Sequence, residues 1–94
     1  MITYKAMFKF VEGGVHTQVL DFPGVISWGD DLVEARRMVA SALEDIAETL
    51  ILMGRPLPLP NPALNDPEAD IQEPVYLLIT GASQVVTVPL EMAR

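Results

Sequence analysis

The stretch Asp21-Phe22-Pro23-Gly24-Val25-Ile26-Ser27-Trp28-Gly29-Asp30-Asp31-Leu32-Val33-Glu34-Ala35 holds a turn, a short strand, a glycine stop and a helix start within fifteen residues. Pro23 fixes φ and Gly24 accepts backbone angles that other residues resist, so Asp21 to Gly24 reads as a turn. Val25 to Trp28 is then a strand that Gly29 ends. Asp31 followed three residues later by Glu34 matches a capping arrangement, in which side-chain oxygens take up amides that the first helical turn leaves free. The helix therefore starts at Leu32.

Upstream of this stretch, Thr3 to Val11 alternates, with Tyr4, Ala6, Phe8 and Phe10 on one face and Thr3, Lys5, Met7 and Lys9 on the other. A period of two marks a half-buried strand. Glu12-Gly13-Gly14 supplies a tight hairpin and Val15 to Leu20 returns antiparallel, so three sequential strands form a meander. Downstream, Leu32, Ala35, Val39, Ala42, Ile46, Leu50 and Met53 recur in steps of three and four, and Met38, Leu43 and Ala47 widen the stripe. That pattern predicts one amphipathic helix with Gly54 as its C-cap, about 33 Å long at 1.5 Å per residue. A helix of that length crosses one whole face of a small sheet.

Pro56, Pro58, Pro60 and Pro62 occupy alternate positions after the helix, which excludes helix and favours an extended, polyproline-like connector. None has a second proline three residues on, so the PxxP ligand pattern is absent. Residues 61 to 73 are polar and acidic and read as an exposed loop. Val75 to Thr80 and Gln84 to Val88, separated by Gly81-Ala82-Ser83, read as a hairpin of β-branched strands, the second a candidate edge for subunit pairing. The order β-β-β-α-β-β predicts an α+β fold, with an antiparallel meander, one long helix packed on one face, and a C-terminal strand or hairpin. Residues 1–94 form a single domain: a core over 3–53, a proline-rich and acidic loop over 54–73, and strands over 75–90.

Phe22-Pro23-Gly24 and Gly29-Asp30, together with Tyr4-Lys5-Ala6 and Gly54-Arg55-Pro56-Leu57-Pro58-Leu59-Pro60, give the chain its resemblance to the HicB-like antitoxin family over roughly residues 3 to 60. The resemblance implies a partial RNase H-like fold. It also implies a function: HicB-like antitoxins bind HicA, a small basic toxin with a double-stranded-RNA-binding-like fold that cleaves RNA, and occlude its active surface. On that reading the domain is a protein-binding inhibitor and not an enzyme. Many family members append a helix-turn-helix or ribbon-helix-helix DNA-binding region, whereas this sequence runs to Arg94 in strand-like residues and is read as a stand-alone form. The alternative is an orphan homo-oligomeric regulatory or ligand-binding module without a toxin, its subunits meeting through Met38, Leu52 and Met53.

Composition agrees with a binding module. Half of the 94 residues are apolar and a fifth are charged, so the chain can bury one modest core. A mean hydropathy of +0.30 leaves apolar surface for another subunit, and a dimer or tetramer is expected. Six Lys or Arg against thirteen Asp or Glu give a net charge of −7, which repels nucleic-acid phosphates and suits a basic protein partner. With no cysteine, disulfides and thiolate metal sites are excluded. No signal peptide or membrane-spanning run is visible, and a cytoplasmic location is expected.

Candidate sites are few. His16 is the sole histidine, and no Ser nucleophile lies in a recognisable motif. Asp66, Glu68, Asp70 and Glu73 crowd four carboxylates into eight residues. Their alternation resembles the start of an EF-hand loop, but Ile71 stands where that loop needs Gly and Leu77 where it needs Glu. The meander strands carry no interior acid for a metal-clamp nuclease. No catalytic, cofactor or metal-ligating residue is therefore assigned. The candidate partner-binding residues are Phe22 and Trp28 around the turn and Glu44, Asp45 and Glu48 on the helix.

Overall fold

A computed structural model describes residues 1–82 and 84–89. The elements are β1 (Ile2–Val11), β2 (Gly14–Val19), β3 (Ile26–Gly29), α1 (Leu32–Leu52), β4 (Ile71–Ile79) and β5 (Val85–Val88). They form one sheet in the order β3-β2-β1-β4-β5, every neighbouring pair antiparallel. The α+β layout is the one the sequence predicts. Ser83, read from the sequence as part of a turn, and Leu90, read as strand, lie outside the described residues.

The helix begins where the sequence places it. Asp31 Oδ1 accepts from the Glu34 amide at 2.8 Å, and Glu34 Oε1 accepts from the Asp30 amide at 2.8 Å. The reciprocal pair satisfies donors at the helix entrance and sets acidic charge where the helix dipole favours it. Gly29 serves less as a stop than as a point of close approach, since a Cβ there would lie 2.3 Å from the Ala35 nitrogen. The buried axis of α1 is Ala35, Val39, Leu43 and Ala47, with Leu32, Ala42, Ile46 and Leu50 half-buried beside it. Small Ala at both ends of that axis lets α1 sit close on β2 and β3 and reach β5. Met38 and Met53, placed within the predicted stripe, are exposed.

Register fixes the two faces of the sheet. Tyr4, Ala6 and Phe8 of β1, Val15, Thr17 and Val19 of β2, and Leu77 and Val85 face the helix and form the core with Phe22 and Val25. Phe10, assigned to the same face, is 51% exposed because β1 outruns the helix there. The opposite face carries Ile26, Trp28, His16, Lys9, Met7, Lys5 and Gln72.

Residues 61–70 are not a free loop. After α1 the chain turns at Gly54 and rounds the end of the sheet, where the Tyr4 hydroxyl donates to the Pro58 carbonyl at 2.7 Å. It then crosses the face opposite the helix. Lys5 Nζ donates to the Pro62 and Leu64 carbonyls at 2.8 and 2.7 Å, Gln72 Oε1 accepts from the Asp66 amide, and Lys9 Nζ lies 3.5 Å from Glu68. Met7, central on that face, is 2% exposed. This strap delivers the chain to the far end of β1, so β4 must run antiparallel to β1.

Strand β4 begins at Ile71, four residues before the predicted Val75. Pro74 reads as a breaker, yet its register with Lys5 turns its nitrogen away from β1, beyond the described end of β5. No hydrogen bond to β1 is lost there.

Candidate functional site

Asp21 is the organising residue of the decisive turn. It is 6% exposed and accepts from the Lys5 amide through Oδ1 and from the Asn61 amide through Oδ2, each at 2.9 Å. One carboxylate thus ties the β2–β3 turn to β1 and to the strap. A carboxylate accepting from backbone amides makes charge-assisted bonds, stronger than neutral ones. Burial raises the Tyr4 phenol above the usual tyrosine value, and the charge of Asp21 adds to the rise. Phe22 packs edge-on against Tyr4 with ring centroids 5.1 Å apart and is 1% exposed. It offers no surface to a partner: the backbone turn at Pro23 and Gly24 drives its ring inward.

Trp28 is 44% exposed on the face away from the helix. Its ring lies against Gly14, where a Cβ would come within 2.3 Å of the indole. Ile26, two residues earlier on the same edge strand, is 59% exposed.

The helix acids divide. Glu44 Oε2 accepts from the Thr87 amide at 2.7 Å, so this side chain is spent on β5 and is not part of a free acidic face. Asp45 and Glu48 make no ion pair with any described cation. Beyond them the exposed Leu52 and Met53 end the helix. The remaining acids are largely occupied: Glu73 binds Arg36 through two contacts of 2.8 and 3.0 Å, Glu34 pairs with Arg37, and Asp70 Oδ2 accepts from the Phe10 amide.

Between the Arg36 to Glu44 flank of α1 and strands β1, β4 and β5 lies a groove of about 570 Å³. Ala6, Phe8, Val39, Val75 and Val88 give it an apolar lining, and the Arg36 and Glu73 pair stands in its wall. Arg36 also lies over the Phe8 ring, 5.8 Å from its centroid. The hydrogen bond to Glu73 raises the guanidinium pKa above its usual value.

Among the described residues, no three His, Asp or Glu side chains are gathered as metal ligands. Asp66, Glu68 and Asp70 point to different tasks: an amide two residues on, Lys9, and β1. His16 sits beside Trp28 in register, with no nucleophile or carboxylate bonded to it among the described residues. No described helix is long and apolar enough to cross a membrane.

No protein-family model matches this chain, and no curated protein matches it. The chemistry therefore has to be read from the surfaces. Sequence reasoning placed the candidate partner residues in two groups, Phe22 and Trp28 around the turn and Glu44, Asp45 and Glu48 on the helix; the structure splits both, with Phe22 in the core and Trp28 on the face away from the helix, and with Glu44 bonded to β5 while Asp45 and Glu48 are not. The signal that could have removed Glu44 was its spacing on the helix, one turn from Ala40 on the side facing the C-terminal strands.

Proposed function

We propose that this domain is an antitoxin-type protein-binding module that neutralises a small basic HicA-like RNase toxin by covering it. The observation that carries the reading is the helix surface at Asp45 and Glu48, two carboxylates without a cation partner among the described residues, next to exposed Leu52 and Met53. Unpaired acids steer a basic partner into encounter, and the adjoining apolar side chains supply contact area. Inhibition by occlusion needs no catalytic group on this chain. The module works in the cytoplasm, where such a toxin meets its RNA.

The test is co-expression with the small basic protein encoded by a neighbouring gene, followed by co-purification and an RNA-cleavage assay with and without this chain. A complex that silences cleavage is the expected result. Replacing Asp45 and Glu48 by Lys slows association about tenfold or more at low salt, and the difference shrinks as salt is raised. An unchanged on-rate removes this face from the binding model, and failure to bind any basic neighbour removes the antitoxin reading.

The alternative, a homo-oligomeric regulatory module, is favoured by a different observation: the exposed Ile26 and Trp28 on an open edge strand.

A further inference from the structure

The two edges of the sheet are finished differently. In β5 the pairs Leu77 with Thr87 and Ile79 with Val85 alternate with the hydrogen-bonded pairs, one of which follows in register from the Thr80 amide bonded to the Gln84 carbonyl. The Thr87 amide therefore points off the edge, and Glu44 caps it at 2.7 Å. A side chain that takes up an outward amide blunts an edge against strand addition. In β3 the Val19 amide bonds the Val25 carbonyl, so Ser27 and Gly29 also face β2 while Ile26 and Trp28 turn their N–H and C=O groups outward. Neither amide has a partner among the described hydrogen bonds, and both side chains are exposed on one face.

We propose that β3 pairs antiparallel with β3 of a second copy about a two-fold axis at Ser27. Two outward residues separated by one inward residue are self-complementary. Ile26 of one copy meets Trp28 of the other, each pair exchanges two backbone bonds, and the exposed isoleucine lies beside the exposed indole.

Charge selects a second copy over a basic protein at this edge. No charged residue lies between Phe22 and Gly29, and in the paired register Asp30 stands opposite Gly24, so two chains of net charge −7 meet along a neutral strip. A basic partner is drawn to the acids on the helix instead. The helix adds area. Arg36, Ala40 and Glu44 face the groove toward β4 and β5, which puts Met38, 42% exposed, and Ala42 on the flank of α1 above β3. The axis stands perpendicular to the joined sheet, so the two helices lie side by side on one face. Trp28 then belongs to contact between copies, independent of whether a toxin binds.

Sedimentation equilibrium of the full chain, from low micromolar to about 1 mM, tests this together with amide hydrogen exchange. A dimer is expected, with protection at the Ile26 and Trp28 amides that grows with concentration. Ile26→Pro deletes an outward N–H that the chain's own sheet does not use, and Trp28→Lys sets charge on the neutral strip; each weakens dimerisation about tenfold or more. Val86→Lys, at the other edge, leaves it unchanged. The proposal is overturned by a wild-type chain monomeric throughout, by a dimer with unprotected Ile26 and Trp28 amides, by a dimer that Val86→Lys alone disperses, or by protection that arises only on adding a different protein. The exchange measurement on the wild type decides the matter even where a variant fails to fold.

Discussion

The two faces of the sheet are covered by opposite means. Over one face lies α1, whose Ala35, Val39, Leu43 and Ala47 bury against Phe8, Val15, Val19 and Leu77, while directed bonds to the sheet are confined, among the described residues, to its flank at Arg36 and Glu44. Across the other runs the strap, held by Asp21, Tyr4, Lys5 and Gln72 acting on backbone groups, with Met7 the single fully buried apolar residue there among the described residues. Apolar burial tolerates small sliding, because its free energy follows area and not angle. A carboxylate bridging two amides does not tolerate it. The helix face thus supplies stability, and the strap face fixes where β4 begins and which way it runs.

Leu43→Ala should be the costliest change, about 3 kcal/mol, because Leu43 is fully buried in the helix layer and its loss leaves a cavity. Chemical denaturation reads this as a lower midpoint at unchanged slope. Asp21→Ala attacks the other face and should cost about 2 kcal/mol by leaving the Lys5 and Asn61 amides without their acceptor. Its signature is local: the Asn61 amide exchanges faster than amides in α1, which global destabilisation alone does not produce. If both variants lose protection uniformly, the faces are one cooperative unit and the contrast between them is false.

Tyr4 belongs to both faces, since its ring is in the core and its hydroxyl holds the strap. Tyr4→Phe should cost about 1 kcal/mol. Because the folded state raises the phenol pKa, that contribution is complete below the usual tyrosine value of about 10 and is lost as pH rises through the folded value. The wild type should therefore lose stability more steeply above about pH 10 than Tyr4→Phe does, and parallel curves would show that the hydroxyl does not hold the strap. Thr17→Val is the smallest effect and has the opposite sign. Thr17 Oγ1 is buried beneath the helix without a hydrogen-bond partner among the described residues, so removing it should leave stability unchanged or raise it by up to about 1 kcal/mol. A loss larger than that in thermal melts would mean that the hydroxyl is satisfied after all.

The meander and helix were legible because each carries its own periodicity and its own stops. The alternation from Tyr4 to Phe8, the turn at Pro23 and Gly24, and the Asp31 and Glu34 cap are local events, and the structure places all of them where the residues do. The strap was not legible. Its composition is that of a solvated loop, and its bonds to Lys5, Asp21 and Gln72 join residues far apart in sequence. Beginning β4 at Ile71 needed the register beside Lys5, which alone shows that Pro74 withholds no donor from β1. At the candidate surfaces the same division holds. The structure leaves Trp28 and Asp45 exposed and Glu48 half-buried, while the burial of Phe22 and the use of Glu44 at an edge strand depended on partners that no local pattern names.

By itself the sequence determined the elements, their order, the α+β class and the acidic balance, because these follow from side-chain chemistry within a few residues of each position. Tertiary structure alone decided the direction of β4, the covering of the second face, the pairing of each carboxylate and the contrast between a capped edge and an open one. Those depend on which distant backbone groups come within about 3 Å of one another, a distance set by the packed fold and not by the pattern along the chain.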